Sequence, residues 1–97
     1  MHQDLNRDTE NYCKALAREL HALRLAKGFS QTALASKAKL CQSFIGLIER
    51  AERTPTVATL YRLSIPLEMP PEKILANTRM RMETKAVADE DPPYDRK

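Results

Sequence analysis

Apolar residues recur along this chain at helical spacing, in blocks separated by turn residues. Tyr12, Leu16, Leu20 and Leu23 stand at i, i+4, i+8 and i+11, with Cys13 and Ala17 widening the stripe. They predict a long first helix, capped by Asp8 or Thr9 after a polar leader over 1–8 and stopped at Lys27 and Gly28. Ser30 is a natural cap for a second helix, with Phe29 packed inward and Leu34, Ala35 and Ala38 on one side. Ala38, Lys39 and Leu40 make a turn, and a third helix carrying Ile45 and Ile48 ends near Arg50 or Ala51. A loop over 52–55 leads to Thr56, the cap of a fourth helix with Val57, Leu60 and Leu63 inward and Tyr61 at the edge. Pro66 predicts that this helix stops by Ile65, since an interior proline removes a hydrogen bond and costs ~3 kcal/mol. Pro70 and Pro71 open a fifth helix that packs back through Ile74 and Leu75.

The pattern predicts an all-α protein of five helices. With two glycines and no alternating runs of β-branched residues, nothing in it supports a sheet. One helical domain over 9–76 is expected, followed by a charged extension over 77–97. The fifth helix is compatible with continuation over 80–88, and the tail from 89 on is too polar to bury a core and reads as disordered.

The second and third helices, over 31–50, are the informative pair. Small Ala35 and Ala38 allow one helix to cross close over the other, as in a helix-turn-helix. At about 100° per residue, Cys41, Phe44, Ile45 and Ile48 cluster on one side of the third helix. Gln42, Ser43, Gly46, Leu47 and Arg50 take the other. That outer face carries an amide, a hydroxyl, a bare backbone position, one apolar side chain and a guanidinium, where an ordinary surface helix carries Lys and Glu. It is a face suited to contact.

Composition narrows the contact. The net charge of +3 and pI near 9.0 are compatible with a nucleic-acid partner without requiring one. The extension over 77–97 is neutral, with five basic and five acidic residues, so the excess lies in 1–76, where eleven basic residues face eight acidic ones. Cys13 and Cys41 form no CxxC pair and have no His at metal spacing, so no metal, cofactor or disulfide is expected and the reduced cytoplasm is the expected setting. Neither a signal peptide nor a membrane span is visible. His21 has no partner at i±4 and reads as a half-exposed surface residue. No nucleophile–base constellation or phosphate-cradling glycine loop appears, so an enzyme is not expected.

Three motifs, LRLAKGFSQTALA at 23–35, IGLIERAERTPT at 45–56 and TLYRL at 59–63, closely resemble the Cro/C1-type (XRE-like) helix-turn-helix family of transcription regulators. The resemblance covers roughly 60 of the 97 residues. It implies a five-helix, lambda-repressor-like domain that dimerises on an inverted-repeat operator, with the helix over 41–50 in the major groove of double-stranded DNA. Carried over residue by residue, it assigns Gln42, Ser43 and Leu47 to base edges. Ser30, Gln31, Lys39, Arg50, Arg53 and Thr54 fall to the DNA backbone, and Arg24 with Glu49 to an internal ion pair. The side-chain chemistry agrees: a glutamine amide pairs with adenine N6 and N7, and leucine meets a thymine methyl. Gly46 permits close approach of a backbone.

The chain also departs from the family pattern. Lys39 and Ala51 stand where the family places glycine, and Cys41 replaces a Ser or Thr cap. Pro66 and Glu68 stand where a helical residue and a glycine cap are usual. These departures, with the exposed Leu47, sustain an alternative: a protein-interaction module, antitoxin-like or partner-binding, that keeps the fold without reading an operator. Phage repressor, restriction-modification controller and antitoxin all fit the sequence.

Overall fold

The computed structural model describes residues 4–83. It contains five helices and, among the described residues, no strand: α1 Leu5–Ala26, α2 Gln31–Ala38, α3 Gln42–Glu49, α4 Val57–Leu67 and α5 Pro71–Glu83. Residues 1–3 of the expected leader and everything from 84 on, including the expected disordered tail, lie outside the described residues, and residues 5–8 of that leader belong to α1.

α1 starts earlier than its sequence suggests. Asp4 is the cap, its Oδ1 accepting from the Arg7 backbone N–H at 3.2 Å. Thr9 lies inside the helix and donates its hydroxyl to the Leu5 carbonyl at 2.8 Å. The stop is where expected: Gly28 takes φ +76° and Phe29 N–H returns to the Arg24 carbonyl at 3.1 Å. Ser30 then caps α2 by accepting from Ala33 N–H at 3.0 Å, and Lys37 Nζ sits 5.2 Å from the centre of the Phe29 ring.

The core is the meeting of these stripes. Leu16 and Leu20 of α1, Leu34 and Ala38 of α2, Ile45 and Ile48 of α3, Leu60, Leu63 and Leu67 of α4, and Ile74 of α5 are all buried. Phe29, Leu40, Phe44 and Met69 close its edges.

Three expectations for the last two helices need correction. α4 does not stop at Ile65; it runs through Pro66 to Leu67. A proline at 66 forfeits only the bond to the Arg62 carbonyl one turn back. The extra turn buries Leu67 and closes with Glu68 N–H on the Ile65 carbonyl and Met69 N–H on that of Ser64, both at 3.1 Å. Val57, expected inward, is 86% exposed, because the first residue of α4 lies in line with Tyr61 and Ile65 at i+4 and i+8, on the outer side. Leu75 likewise sits at the solvent edge, and it is Thr78, fully buried and bonded to the Ile74 carbonyl at 2.8 Å, that continues the inner face of α5.

Candidate nucleic-acid interface

Ala35 and Ala38 are buried at the α2–α3 crossing and leave room for Ile45 and Ile48. The turn between the helices is reached through Lys39 in the left-handed conformation (φ 60°, ψ 50°). Its carbonyl accepts from Arg62 Nη1 at 3.3 Å, which ties α4 to the turn. Ala51 and Glu68 are also left-handed, at φ 61° and 56°. Each left-handed non-glycine residue costs on the order of 1 kcal/mol. The chain therefore makes the usual turns without the usual glycines.

α3 begins at Gln42 with Cys41 as its N-cap, and Cys41 makes no side-chain capping bond, as a weakly accepting thiol would not. Cys41 is exposed rather than inward. A cap residue has extended backbone (φ −73°, ψ 141°), so helical angular spacing does not carry back to it. Within α3 the expected division mostly holds: Ile45 and Ile48 are buried and Gln42, Ser43 and Arg50 exposed, whereas Leu47, expected exposed, is half-buried. Gly46 differs, being buried on the outer side beneath the Arg50 and Gln31 side chains.

Behind α3, Glu49 is the hub of a buried polar cluster. Arg24 donates Nε to its Oε2 at 2.7 Å and Nη2 to its Oε1 at 3.0 Å, a two-pronged pair, and sends Nη1 to the Phe29 carbonyl at 2.8 Å. Gln31 Nε2 donates to the same carboxylate at 3.2 Å. His21 Nδ1 lies 2.8 Å from Oε1, which requires that nitrogen to carry a proton and donate. Burial raises the carboxyl's pKa, but the bonds from Arg24, His21 and Gln31 together outweigh it and hold the group below its ordinary value. One carboxylate thus fastens α3 to both α1 and α2.

The expected Arg24–Glu49 pair is therefore present, and it has a member the sequence reading missed. His21 was expected to be a surface residue with no partner at i±4; its partner is Glu49, on another helix 28 positions along. The available signal was the i, i+3 spacing of His21 and Arg24, which puts both on one face of α1.

The residues expected at a DNA backbone are gathered unevenly. Gln31 and Arg50 converge over Gly46. Arg50 Nε also donates to Glu52 Oε2 at 3.1 Å. The loop after α3 folds back, with Glu52 and Arg53 N–H groups on the Leu47 carbonyl at 2.9 and 3.2 Å, leaving the Arg53 side chain exposed. Thr54 donates its hydroxyl to Cys13 Sγ at 3.7 Å, in an open groove of about 270 Å³ lined by Thr9, Glu10, Cys13, Lys14, Ala51 and Thr54. Ser30 spends its hydroxyl on the α2 cap. Lys39 is at the opposite end of α2 from Gln31, about 12 Å away for eight residues at 1.5 Å each.

No group of three or more His, Cys, Asp or Glu side chains suited to a metal ion occurs among the described residues. No helix among them is long and apolar enough to cross a membrane.

A short helix anchored from behind, exposed in front and crossed closely by its predecessor, within five helices, defines a helix-turn-helix domain. Residues 20–74 match the helix-turn-helix family, and the chain belongs to it, in its Cro/C1-type branch of DNA-binding transcription regulators. It is 38% identical over 61 residues to the HTH-type transcriptional regulator SutR of Escherichia coli (strain K12), a match that takes in 63% of this chain and 34% of SutR. The chain thus spans about a third of the length of that relative. Among solved structures it is similar to the restriction-modification controller protein C.AhdI from Aeromonas hydrophila, at 31% identity and a TM-score of 0.62 over 64% of this chain and 94% of the controller. The clp gene regulator ClgR from Corynebacterium glutamicum shares the fold, at 19% identity and a TM-score of 0.74 over 80% of this chain and 83% of that one.

Proposed function

We propose that this chain is a sequence-specific, DNA-binding transcription regulator that binds an inverted-repeat operator as a dimer, with α3 in the major groove. The observation that carries the reading is the asymmetry of α3. Its back is locked by the two-pronged Arg24–Glu49 pair, and its front presents Gln42 and Ser43 exposed, with Leu47 beside them. A helix held rigidly with unspent hydrogen-bonding side chains in front is what direct base readout requires. Gln42, Ser43 and Leu47 meet base edges, while Gln31, Arg53 and the α2 N-terminus positioned by Ser30 meet phosphates. Lys39 and Thr54 lie at the margins of that surface. The likeness to the controller C.AhdI supports the same reading, since 94% of that small protein is matched.

The dimer has its own support on α4. Val57, Tyr61 and Ile65 are 86%, 58% and 59% exposed and form one apolar stripe. Their spacing is symmetric about Tyr61, so a two-fold axis there sets Val57 of one copy against Ile65 of the other. Such a surface is self-complementary, as a two-fold interface must be. Ile65→Asp is expected to convert the dimer to a monomer in sedimentation at micromolar concentration; an unchanged mass would place the interface elsewhere.

The direct test is selection of sites from a randomised duplex pool. The reading expects an enriched inverted repeat with half-sites about one helical turn (~34 Å) apart. Weak, salt-sensitive binding without enrichment would favour the interaction-module alternative.

A further inference from the structure

The outer face of α3 contains a device that its sequence does not announce. Gly46 lies in the middle of a helix, where glycine is less stable than alanine. The space it leaves is filled by Arg50. A Cβ at 46 would stand 3.1 Å from Arg50 Nη1, 3.9 Å from its Cζ and 3.5 Å from Gln31 Oε1. The guanidinium is therefore laid back over the helix, across the residue one turn earlier, instead of reaching past the helix end. Glu52 Oε2 accepts the Nε hydrogen at 3.1 Å. The Nη hydrogens are left unspent among the described residues.

Direction matters here. Arg50 is the C-cap of α3, and its guanidinium comes onto the outer face of the helix, beside Ser43 and Leu47, by lying over Gly46. A cation at the rim of a recognition helix meets phosphates. A cation brought onto the face that enters the groove is placed to meet base edges, and arginine paired with guanine O6 and N7 is the commonest specific contact there.

We propose that Arg50 reads a guanine, that Gly46 is the residue that seats it, and that Glu52 orients it. This departs from the backbone role the family resemblance implies for Arg50, and it rests on the reading of α3 as the operator-contacting helix. Gly46 is then a positioning residue, and its return for a weaker helix is specificity. The bond to Glu52 and the seat over Gly46 restrict the side chain before binding, which lowers the entropy lost on contact.

The test uses the full chain, its selected operator, and duplexes carrying every single-base change. Gly46→Ala inserts a methyl group into the seat, and Arg50→Lys keeps the charge but removes the two-pronged geometry. Both are expected to fold, with the melting temperature of Gly46→Ala equal to or above that of the parent. Both are expected to lose discrimination at one and the same G·C pair by about tenfold. Glu52→Gln is expected to lose part of it there. A uniform loss over all duplexes with a shallower salt dependence would make Arg50 a phosphate contact and overturn the proposal. Unchanged discrimination in both variants would also overturn it, while leaving α3 as the reading helix. Failure of the parent chain to prefer any duplex would remove both together, and is told apart from the other two results by that parent measurement alone.

Discussion

Two buried glutamates do similar work in this molecule at opposite ends of its legibility. Glu49 fastens α3 to α1 and α2 through Arg24, Gln31 and His21. Glu19 fastens α5 to α1, accepting from Asn77 Nδ2 at 2.9 Å and Arg81 Nε at 2.8 Å. Both carboxylates are held by one guanidinium and one amide, and Glu49 by the His21 imidazole besides. They differ in how dry the guanidinium is: the Arg24 side chain is 9% exposed and that of Arg81 36%. They differ also in place, since the Glu49 cluster lies wholly within the family-matched 20–74 and the Glu19 clamp falls outside it. The first holds the helix assigned to DNA, and the second holds the end of α5.

That contrast is tested by removing each carboxylate in turn. Glu49→Ala strands a buried guanidinium and is expected to cost about 3–5 kcal/mol. At roughly 4–8 °C per kcal/mol for a domain of this size, thermal unfolding measures it easily. DNA affinity of the remaining folded protein is expected to fall as well, because α3 loses its fixed seat. Glu19→Ala is expected to cost less, about 1–3 kcal/mol, since Arg81 regains water. Its DNA affinity should stay at the parent value. Equal losses of stability, or a binding defect in Glu19→Ala, would erase the distinction between the two clamps.

Acid probes the first clamp. In the folded chain Glu49 is held below its ordinary carboxylate value, burial being outweighed by its three donors. Its stabilising contribution is therefore full above that ordinary value and is lost as the pH falls through the depressed one. Denaturant midpoints measured down the acid limb should drop over that window, and Glu49→Gln should flatten the drop. A limb unchanged by Glu49→Gln would assign the acid sensitivity to other carboxylates.

The smallest expected effect concerns the turns around α3. Ala51 at φ 61° gains from replacement by glycine, so Ala51→Gly should raise stability by about 1 kcal/mol, read as a higher melting temperature. A lower melting temperature would mean that the alanine methyl contributes more by packing than the left-handed backbone costs.

The sequence made some of this plain, and the reasons are physical. The stripes Leu16–Leu20, Ile45–Ile48 and Leu60–Leu63 follow helical periodicity, which local spacing reveals, and Ser30 and Thr56 announce caps that the structure contains. Arg24 and Glu49 were identifiable through the family resemblance alone, because their contact spans 25 positions and no local pattern encodes it. His21 and the Glu19 clamp stayed hidden for the same reason, without a motif to reveal them. Pro66 misled because the rule against interior proline weakens in a last turn that buries a leucine. Val57 misled because an apolar first residue on a helix is equally consistent with a core and with a surface reserved for a second copy. At α3 the division into faces was readable, whereas the burial of Gly46 beneath Arg50 depends on where one long side chain lies.

Glu49 locks α3 from behind, and the proposed function has its front read bases with Gln42 as the first reader. The most direct measurement is the affinity of the parent chain and of Gln42→Ala for the selected operator and for its single-base variants, across a range of salt. A loss of about 1–3 kcal/mol on the operator is expected, with relaxed preference at one base position and an unaltered salt dependence. A uniform loss on every duplex, or none on any, would contradict it.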